Sequence, residues 1–270
     1  MIDIRIESKP VNPSDYRKKH ASIDDAPQFI DHFCRVFIGD SEHPSIVYSG
    51  IDIDTSNLRD AVRSIKYTKE TRTSGLPTQS RIFGYSPRLV VRAKEACTVT
   101  SLAHEKPHQH SVVTNFASYL SSLYLAHNPM VYQKHMEETR IVLDDWKIGE
   151  TPFTSGIINK NNQLPYHFDA GNVKNVWSNM VVFKKDVIGG YLACPELGVT
   201  FELKDNSVLM FDGQNILHGV TPFKKTSPQG YRYSIVYYSL LQMWHCLPPK
   251  EEIKEAAKRR RAREVKRANS

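Results

Sequence analysis

His167 and Asp169 flank a single residue, Phe168, while His218 and Arg232 follow downstream, the last inside Tyr231-Arg232-Tyr233-Ser234-Ile235-Val236-Tyr237-Tyr238. Residues two apart on a β-strand face the same way, so His167 and Asp169 can grip one metal ion while Phe168 packs behind. His218, arriving from a distant strand, supplies a third ligand and completes one face of an octahedron. Two imidazoles and one carboxylate leave three positions open, the arrangement in which non-haem Fe(II) holds a cosubstrate and dioxygen together. Arg232 at the floor of such a pocket suits a dicarboxylic cosubstrate. Its guanidinium fork binds a carboxylate through two parallel hydrogen bonds and stays charged when buried. Ser234, two residues on and on the same strand face, adds a hydroxyl donor.

The spelling His-x-Asp/Glu is weak alone, because a chain with 11 His and 29 Asp plus Glu contains roughly one by composition. A second copy, His135-Met136-Glu137, falls in a segment from about Ser111 to Asp144 with helical propensity and apolar spacing. Residues two apart on a helix diverge by about 200°, so that pair cannot share a metal and reads as a surface face. His104-Glu105-Lys106-Pro107-His108 matches the zinc-protease pattern H-E-x-x-H, which needs an unbroken helix. Pro107 removes a backbone donor and breaks that turn, so the match reads as accidental and, with His110, as a cap or surface loop.

The elements that must position His167 are strands. Phe153 to Asn159 is β-prone, and Asn161-Asn162-Gln163-Leu164-Pro165 is a turn that delivers Tyr166 to Asp169. Four β-prone runs follow, Asn179 to Lys184, Tyr191 to Ala193, Val199 to Leu203 and Ser207 to Phe211, with turn residues between them. Short strands at this spacing predict an antiparallel sandwich or barrel, with His218 just past the last run and Arg232 opening another.

His-x-Asp, a distal His and Arg-x-Ser resemble the Fe(II)/2-oxoglutarate-dependent dioxygenase superfamily. That resemblance implies a mainly β fold with flanking helices, a double-stranded β-helix or jelly roll. It also implies Fe(II) on His167, Asp169 and His218, and 2-oxoglutarate on Arg232 and Ser234. Within the superfamily the chain resembles the ten-eleven-translocation and base-J-binding-protein group, through His167-Phe168-Asp169-Ala170-Gly171-Asn172, Gly189-Gly190-Tyr191-Leu192, Leu217-His218-Gly219 and the strand from Arg232 to Tyr238. This closer resemblance implies oxidation of the 5-methyl group of a pyrimidine flipped out of DNA, with 5-methylcytosine placed ahead of thymine. Asn172 matches the position that contacts the base, and Tyr238 matches the aromatic that stacks on it. Read from residues alone, Asn172 also suits a turn and Tyr238 also suits core packing. Leu240 stands where some 5-methylcytosine oxidisers carry a His. The alternative on the same scaffold is a hydroxylase of a protein or small molecule. A repair demethylase for alkylated bases is disfavoured, since no Arg lies between Arg232 and Arg259.

The division expected is residues 1–110 as N-terminal helical and loop support within one domain, 111–247 as the oxygenase core with its preceding helix, and 248–270 as a basic tail. In the first part, Asp52 to Ile65 reads as a capped amphipathic helix. Thr71 to Gly84 reads as a basic, solvent-exposed loop whose Arg72, Arg81 and Phe83 could touch DNA. Cys34, Cys97, Cys194 and Cys246 show no C-x-x-C spacing, so neither a disulfide framework nor a zinc site is expected. No run approaches the roughly 20 apolar residues of a membrane span and no apolar leader opens the chain, so a soluble intracellular protein is expected, cytoplasmic or in a viral host's cytoplasm. The net charge is +7, and Lys250 to Ser270 holds nine Lys or Arg against four Glu. Such a tail attracts phosphates without reading sequence, or serves as a nuclear address; it reads as a solvated helix or a disordered tail.

Overall fold

The computed structural model of the chain describes residues 1–71, 77–88 and 95–268. The first fifty residues form β1 (Ile2–Ile6), α1 (Pro13–Tyr16), β2 (Gln28–Ile30), β3 (Cys34–Ile38) and β4 (Ile46–Gly50). Helix α2 (Ser56–Ser64), β5 (Thr68–Thr71), β6 (Pro77–Ser86) and β7 (Thr98–Val99) come next. A helical layer follows, of α3 (Ser101–Glu105), α4 (Pro107–Asn115), α5 (Ala117–His127) and α6 (Pro129–Glu138). The chain then runs through β8 (Ser155–Lys160), β9 (Ser178–Lys185), β10 (Val187–Gly189), β11 (Leu192–Cys194), β12 (Val199–Phe201), β13 (Ser207–Phe211), β14 (Gly219–Val220), β15 (Phe223–Lys225) and β16 (Tyr231–Tyr238). It ends in α7 (Pro249–Ala268).

Among the described residues the large sheet has the order β1-β3-β4-β13-β9-β16-β8-β6-β5, with β7 on β6. The small sheet is β14-β11-β12-β2, and β10 with β15 forms a separate ribbon. The two sheets face each other as a jelly roll. Every residue of β13 is buried because the large sheet is covered on both faces. Alternation divides the work: Val181, Phe183, Ile235 and Tyr237 meet Leu120 and Tyr124 of α5 on one face. Met180, Val182, Leu209 and Phe211 meet Leu192, Val199 and Phe201 of the small sheet on the other. Asn159, Arg232 and Ser234 share this second, inter-sheet face: Ser234 is paired in register with both Asn159 and Val182, and Arg232 lies two residues away. They are a polar spot in an otherwise apolar interior.

Several expectations are corrected. The N-terminal region is not mainly helix and loop, since β1, β3 and β4 extend the large sheet and β2 pairs in parallel with β12. The α2 helix is as expected; its N-cap, Thr55, makes no side-chain cap bond, and Asp54 Oδ1 accepts from Ser56 N at 2.9 Å just ahead of the first turn. The segment expected as an exposed basic loop holds β5 and β6. Phe83 is fully buried, 4.9 Å from the Tyr237 ring, and Gly156 makes room for it, since a Cβ there would stand 2.0 Å from Phe83 Cζ. Arg81 pairs with Glu105 at 2.7 Å, and Arg72 lies outside the described residues.

Pro107 and Pro129 each begin a helix, α4 and α6, where a missing N–H costs nothing. The long helical segment is therefore broken. In α6, His135 is buried, with Nε2 2.9 Å from Ser239 Oγ, while Met136 and Glu137 are exposed. The expected surface face is thus corrected for His135, whose pKa burial pushes down to about 3, keeping the ring neutral.

Cys97 and Cys246, 149 residues apart, form a disulfide that their spacing had not announced. Beside it lies Glu252, the buried residue of α7. Its carboxylate accepts from Cys97 N at 3.1 Å and Leu247 N at 2.9 Å, and pairs with Arg88 and Arg259 at 3.2 and 3.6 Å. Glu252→Ala leaves two backbone donors without their acceptor and takes the buried anionic partner from two guanidinium groups. The expected result is a loss of about 3 kcal/mol in a denaturant titration, and an unchanged midpoint would show the anchor to be dispensable. Among the described residues no helix is long and apolar enough to cross a membrane.

Candidate metal and cosubstrate site

His167 does not lie in a regular strand. It forms an isolated antiparallel bridge with His218, in which His167 N donates to His218 O at 2.9 Å and His218 N donates to His167 O at 3.1 Å. These two bonds put the side chains on adjacent backbones, with ring centroids 4.5 Å apart. Asp169 is tethered separately, its N donating to Gly213 O at 2.8 Å.

Asp169 Oδ1 stands 3.8 Å from His167 Nε2 and 4.0 Å from His218 Nε2. One ligand atom from each of the three residues lies within 4.8 Å of the other two, close enough to hold one metal ion. The far nitrogens fix the tautomers. His167 Nδ1 lies 2.8 Å from Pro165 O and His218 Nδ1 lies 2.9 Å from Ile216 O. A carbonyl only accepts, so each Nδ1 carries the proton and each Nε2 presents a lone pair toward Asp169. This is a donor set made for a divalent transition metal. His218 is buried at the back, while the His167 and Asp169 side chains are 32% and 26% exposed, so the third side of the site is open. Gly213 is required by close approach, since a Cβ there would come within 2.3 Å of Asp169 Oδ2.

Arg232 is 2% exposed. Its backbone N donates to Asn161 Oδ1 at 2.9 Å and its Nε donates to Gly190 O at 3.1 Å. Gly190, at φ +70°, lets the guanidinium stem pass, for a Cβ would sit 2.8 Å from Arg232 Cδ. Nη2 is buried with no hydrogen-bond partner among the described residues. The nearby Glu202 is paired with Lys184, which lies opposite Arg232 in register. Burial presses the Arg232 pKa down to about 10, so the group remains a cation at neutral pH. A buried, charged donor without an acceptor is costly, and an entering carboxylate removes that cost. Ser234 adjoins it, and Asn159 Nδ2 reaches Ser234 Oγ at 3.4 Å. Asn159 Oδ1 in turn accepts from Ser80 and Asn162 at 2.8 and 3.0 Å.

Asn172 is buried and bridged to Leu240, and Val173 N donates to Ser239 O at 2.9 Å. Gln214, on the loop that carries Gly213, donates to Asn172 O. Tyr238 is half-buried, two residues before Leu240 and on the same strand face as Arg232. The structure thus brings His167, Asp169 and His218 together and puts Arg232, Ser234 and Tyr238 on one face of β16, while Asn172 is bridged to Leu240. Sequence reasoning missed Pro165, Ile216 and Gly213, which act through backbone atoms, and the asparagines at 159 and 161. Of these only the Asn161-Asn162 turn carried a signal.

Residues 81–240 match the Tet_JBP family model, described as the oxygenase domain of the 2OGFeDO superfamily. The chain is 25% identical over 206 residues to the bifunctional helicase and thymine dioxygenase JBP2 of Leishmania braziliensis, covering 74% of this chain and 18% of that protein. It is 26% identical over 166 residues to thymine dioxygenase JBP1 of Trypanosoma brucei brucei, covering 61% and 19%. The chain therefore spans under a fifth of the length of these curated relatives. The structure of NgTET1 in complex with 5mC DNA superimposes with a TM-score of 0.61 at 14% identity, covering 85% of this chain and 86% of that one. At such identity the likeness speaks of fold.

Proposed function

Because the chain belongs to the Tet_JBP family of 2-oxoglutarate and iron-dependent oxygenase domains, we propose that it oxidises the 5-methyl group of a pyrimidine in DNA. In this reading His167, Asp169 and His218 hold Fe(II), and Arg232 and Ser234 hold the distal carboxylate of 2-oxoglutarate. The observation that carries it is the buried Arg232 guanidinium, whose Nη2 lacks a partner, on the inter-sheet face of the fold that carries the His-Asp-His cluster. When bound, iron and 2-oxoglutarate with dioxygen supply the oxidising power needed for an unactivated methyl group.

The protein's own part is positioning. The Pro165 and Ile216 carbonyls hold each Nδ1 and turn both Nε2 atoms toward Asp169. Asn161 Oδ1 holds the Arg232 backbone N and Gly190 O holds Nε, leaving the Nη groups for an anion. The apolar walls of the inter-sheet space, Met180, Val182 and Val236, exclude water around that ion pair and strengthen it. A duplex base reaches a recessed site only by leaving its stack. Asn172 would bond the edge of the flipped base and Tyr238 would stack on its face. Leu240, paired with Asn172, contributes no polar group to tell cytosine from thymine. The relatives named for thymine bring thymine level with 5-methylcytosine, and both are carried forward.

The test is mass spectrometry of nucleosides from one methylated duplex, reading 5-hydroxymethylcytosine and 5-hydroxymethyluracil side by side. Stacking on an aromatic platform is worth about 1–3 kcal/mol per base, so Tyr238→Ala is expected to lower product by roughly one to two orders of magnitude. Asn172→Ala is expected to lose most product as well. Both variants should bind metal and 2-oxoglutarate as the wild type does. Neither product from the wild type, together with strong 2-oxoglutarate turnover on a protein or small molecule, overturns the DNA reading in favour of a hydroxylase on the same scaffold.

A further inference from the structure

We propose that α7 is a fixed rail that grips the phosphate backbone of duplex DNA beside the oxidation site; the inference rests on the DNA reading above. Charge alone would not carry it, because a basic run is ordinarily a solvated surface. What distinguishes this helix is that its two faces have different partners.

The inner face is tied down by acids. Glu252 binds two backbone N–H groups, Arg88 and Arg259. One helical step further on, Arg263 pairs with Glu95, and Arg259 Nε donates to Glu95 O at 3.0 Å. The disulfide Cys97–Cys246 holds the segment that leads into the helix. Arg259 and Arg263 are therefore residues of the fold, and the charge they carry is largely spent within the protein.

The outer face is different. At 3.6 residues per turn, Lys250, Lys254 and Arg261 lie about 160–200° from Glu252. All three are exposed. The acids Glu251, Glu255 and Glu264 fall outside this stripe. Ala268 shares it, Ala257 and Val265 lie about 20° beyond its edges, and Lys258 and Glu264 lie about 40° beyond, with Lys258 drawn to Glu255 at 2.6 Å. A helix that lies on a membrane needs an apolar face with large side chains, and this one has none. A stripe of exposed cations with no acid within it, and with a single valine at its edge, suits a polyphosphate backbone.

Its placement fits the same partner. Leu241 N donates to Gly171 O at 3.0 Å, beside Asn172, so the chain leaves the base-contact loop only eight residues before Pro249. Arg88 donates to His245 O, and Trp146 Nε1 donates to Leu247 O at 2.9 Å, holding that short connection against the body. Twenty residues of helix span about 30 Å, roughly nine base steps of a duplex. A duplex presenting one base to the site meets a charged ridge at a set distance from it, not a loose tether.

The experiment reads fluorescence anisotropy of a labelled duplex over about 50–200 mM salt for the full chain, without added iron. For the variant Lys254→Glu/Arg261→Glu, the slope of log K against log salt should flatten by about 2, one for each phosphate that the helix no longer neutralises. The neutral pair Lys254→Gln/Arg261→Gln should move in the same direction. Lys224→Glu/Lys225→Glu, on exposed residues of β15, changes net charge equally and should leave the slope nearly as it was. An unchanged slope in the helix variants overturns the proposal, as does equal flattening in the β15 variant, which would mark a simple effect of net charge. The product assay is independent of this one. A wild type that binds with a steep slope yet yields no oxidised base defeats the proposed activity and leaves the rail standing.

Discussion

His167→Ala and Asp169→Ala are each expected to abolish Fe(II)-dependent 2-oxoglutarate turnover and leave the fold nearly intact. The separation follows from how the site is built. The bridge between His167 and His218 is made by backbone atoms, and Asp169 is held through its own N–H to Gly213 O, so neither truncation removes a backbone bond. His167→Ala gives up one side-chain bond to Pro165 O, a net cost of about 1 kcal/mol. Asp169 contributes the only carboxylate of the cluster, and its removal leaves two imidazoles, a set with little hold on Fe(II). A calorimetric titration with Mn(II) in place of iron reads metal binding without turnover. It should show a saturable site in the wild type and none in either variant, with thermal midpoints close together. Normal turnover in either variant would remove the metal assignment. A collapsed midpoint would instead make the pair structural.

What the sequence could and could not disclose follows the range of the forces involved. β9, β13 and β16 were readable because each carries β-prone residues between strong turn signals, and their burial is enforced on both faces. His-x-Asp with a later His and Arg-x-Ser was readable because the chemistry demands those residue types in that order. β1 and β2 were not, since each is defined by a parallel partner far away, Ile2 opposite Cys34 and Gln28 opposite Val199, and nothing local announces such pairing. Phe83 looked like an exposed aromatic in a basic loop. Its burial depends on Gly156 across the ladder, a relation between two strands that no window of sequence contains. His135 was misplaced because a neutral histidine on the inner face of α6 resembles a surface one until Ser239, Tyr124 and Phe153 are set around it. The tail's composition suggested solvent on all sides, whereas Glu252 draws one face into the protein. The atoms that tune the site, the carbonyls of Pro165, Ile216 and Gly190, belong to the backbone and have no residue signature.

Arg232→Lys is expected to weaken 2-oxoglutarate binding by about 1.5–3 kcal/mol, the worth of a charged hydrogen bond with its geometry. That corresponds to roughly 10- to 150-fold in dissociation constant. Lysine keeps one charge, yet it is a point donor and cannot hold Gly190 O and grip a carboxylate through two parallel bonds at once. A lysine in this place would also be pressed toward its neutral form, because Arg232 sits at 2% exposure and already has its pKa lowered by burial. The sharper variant is Arg232→Met, which keeps the length of the stem and removes the charge. A ligand present at 100 times its dissociation constant stabilises the folded state by about 2.7 kcal/mol, so 2-oxoglutarate with Mn(II) should raise the wild-type thermal midpoint. In Arg232→Met that rise should vanish, while Mn(II) alone still binds. The unliganded variant should melt no earlier than the wild type, because a buried cation without a partner contributes little stability and a well-packed apolar side chain in its place is often neutral or better. A purely structural arginine predicts the reverse, with an early melt in the unliganded variant and an undiminished response to the cosubstrate. Differential scanning calorimetry of the four combinations of variant and ligand separates the two.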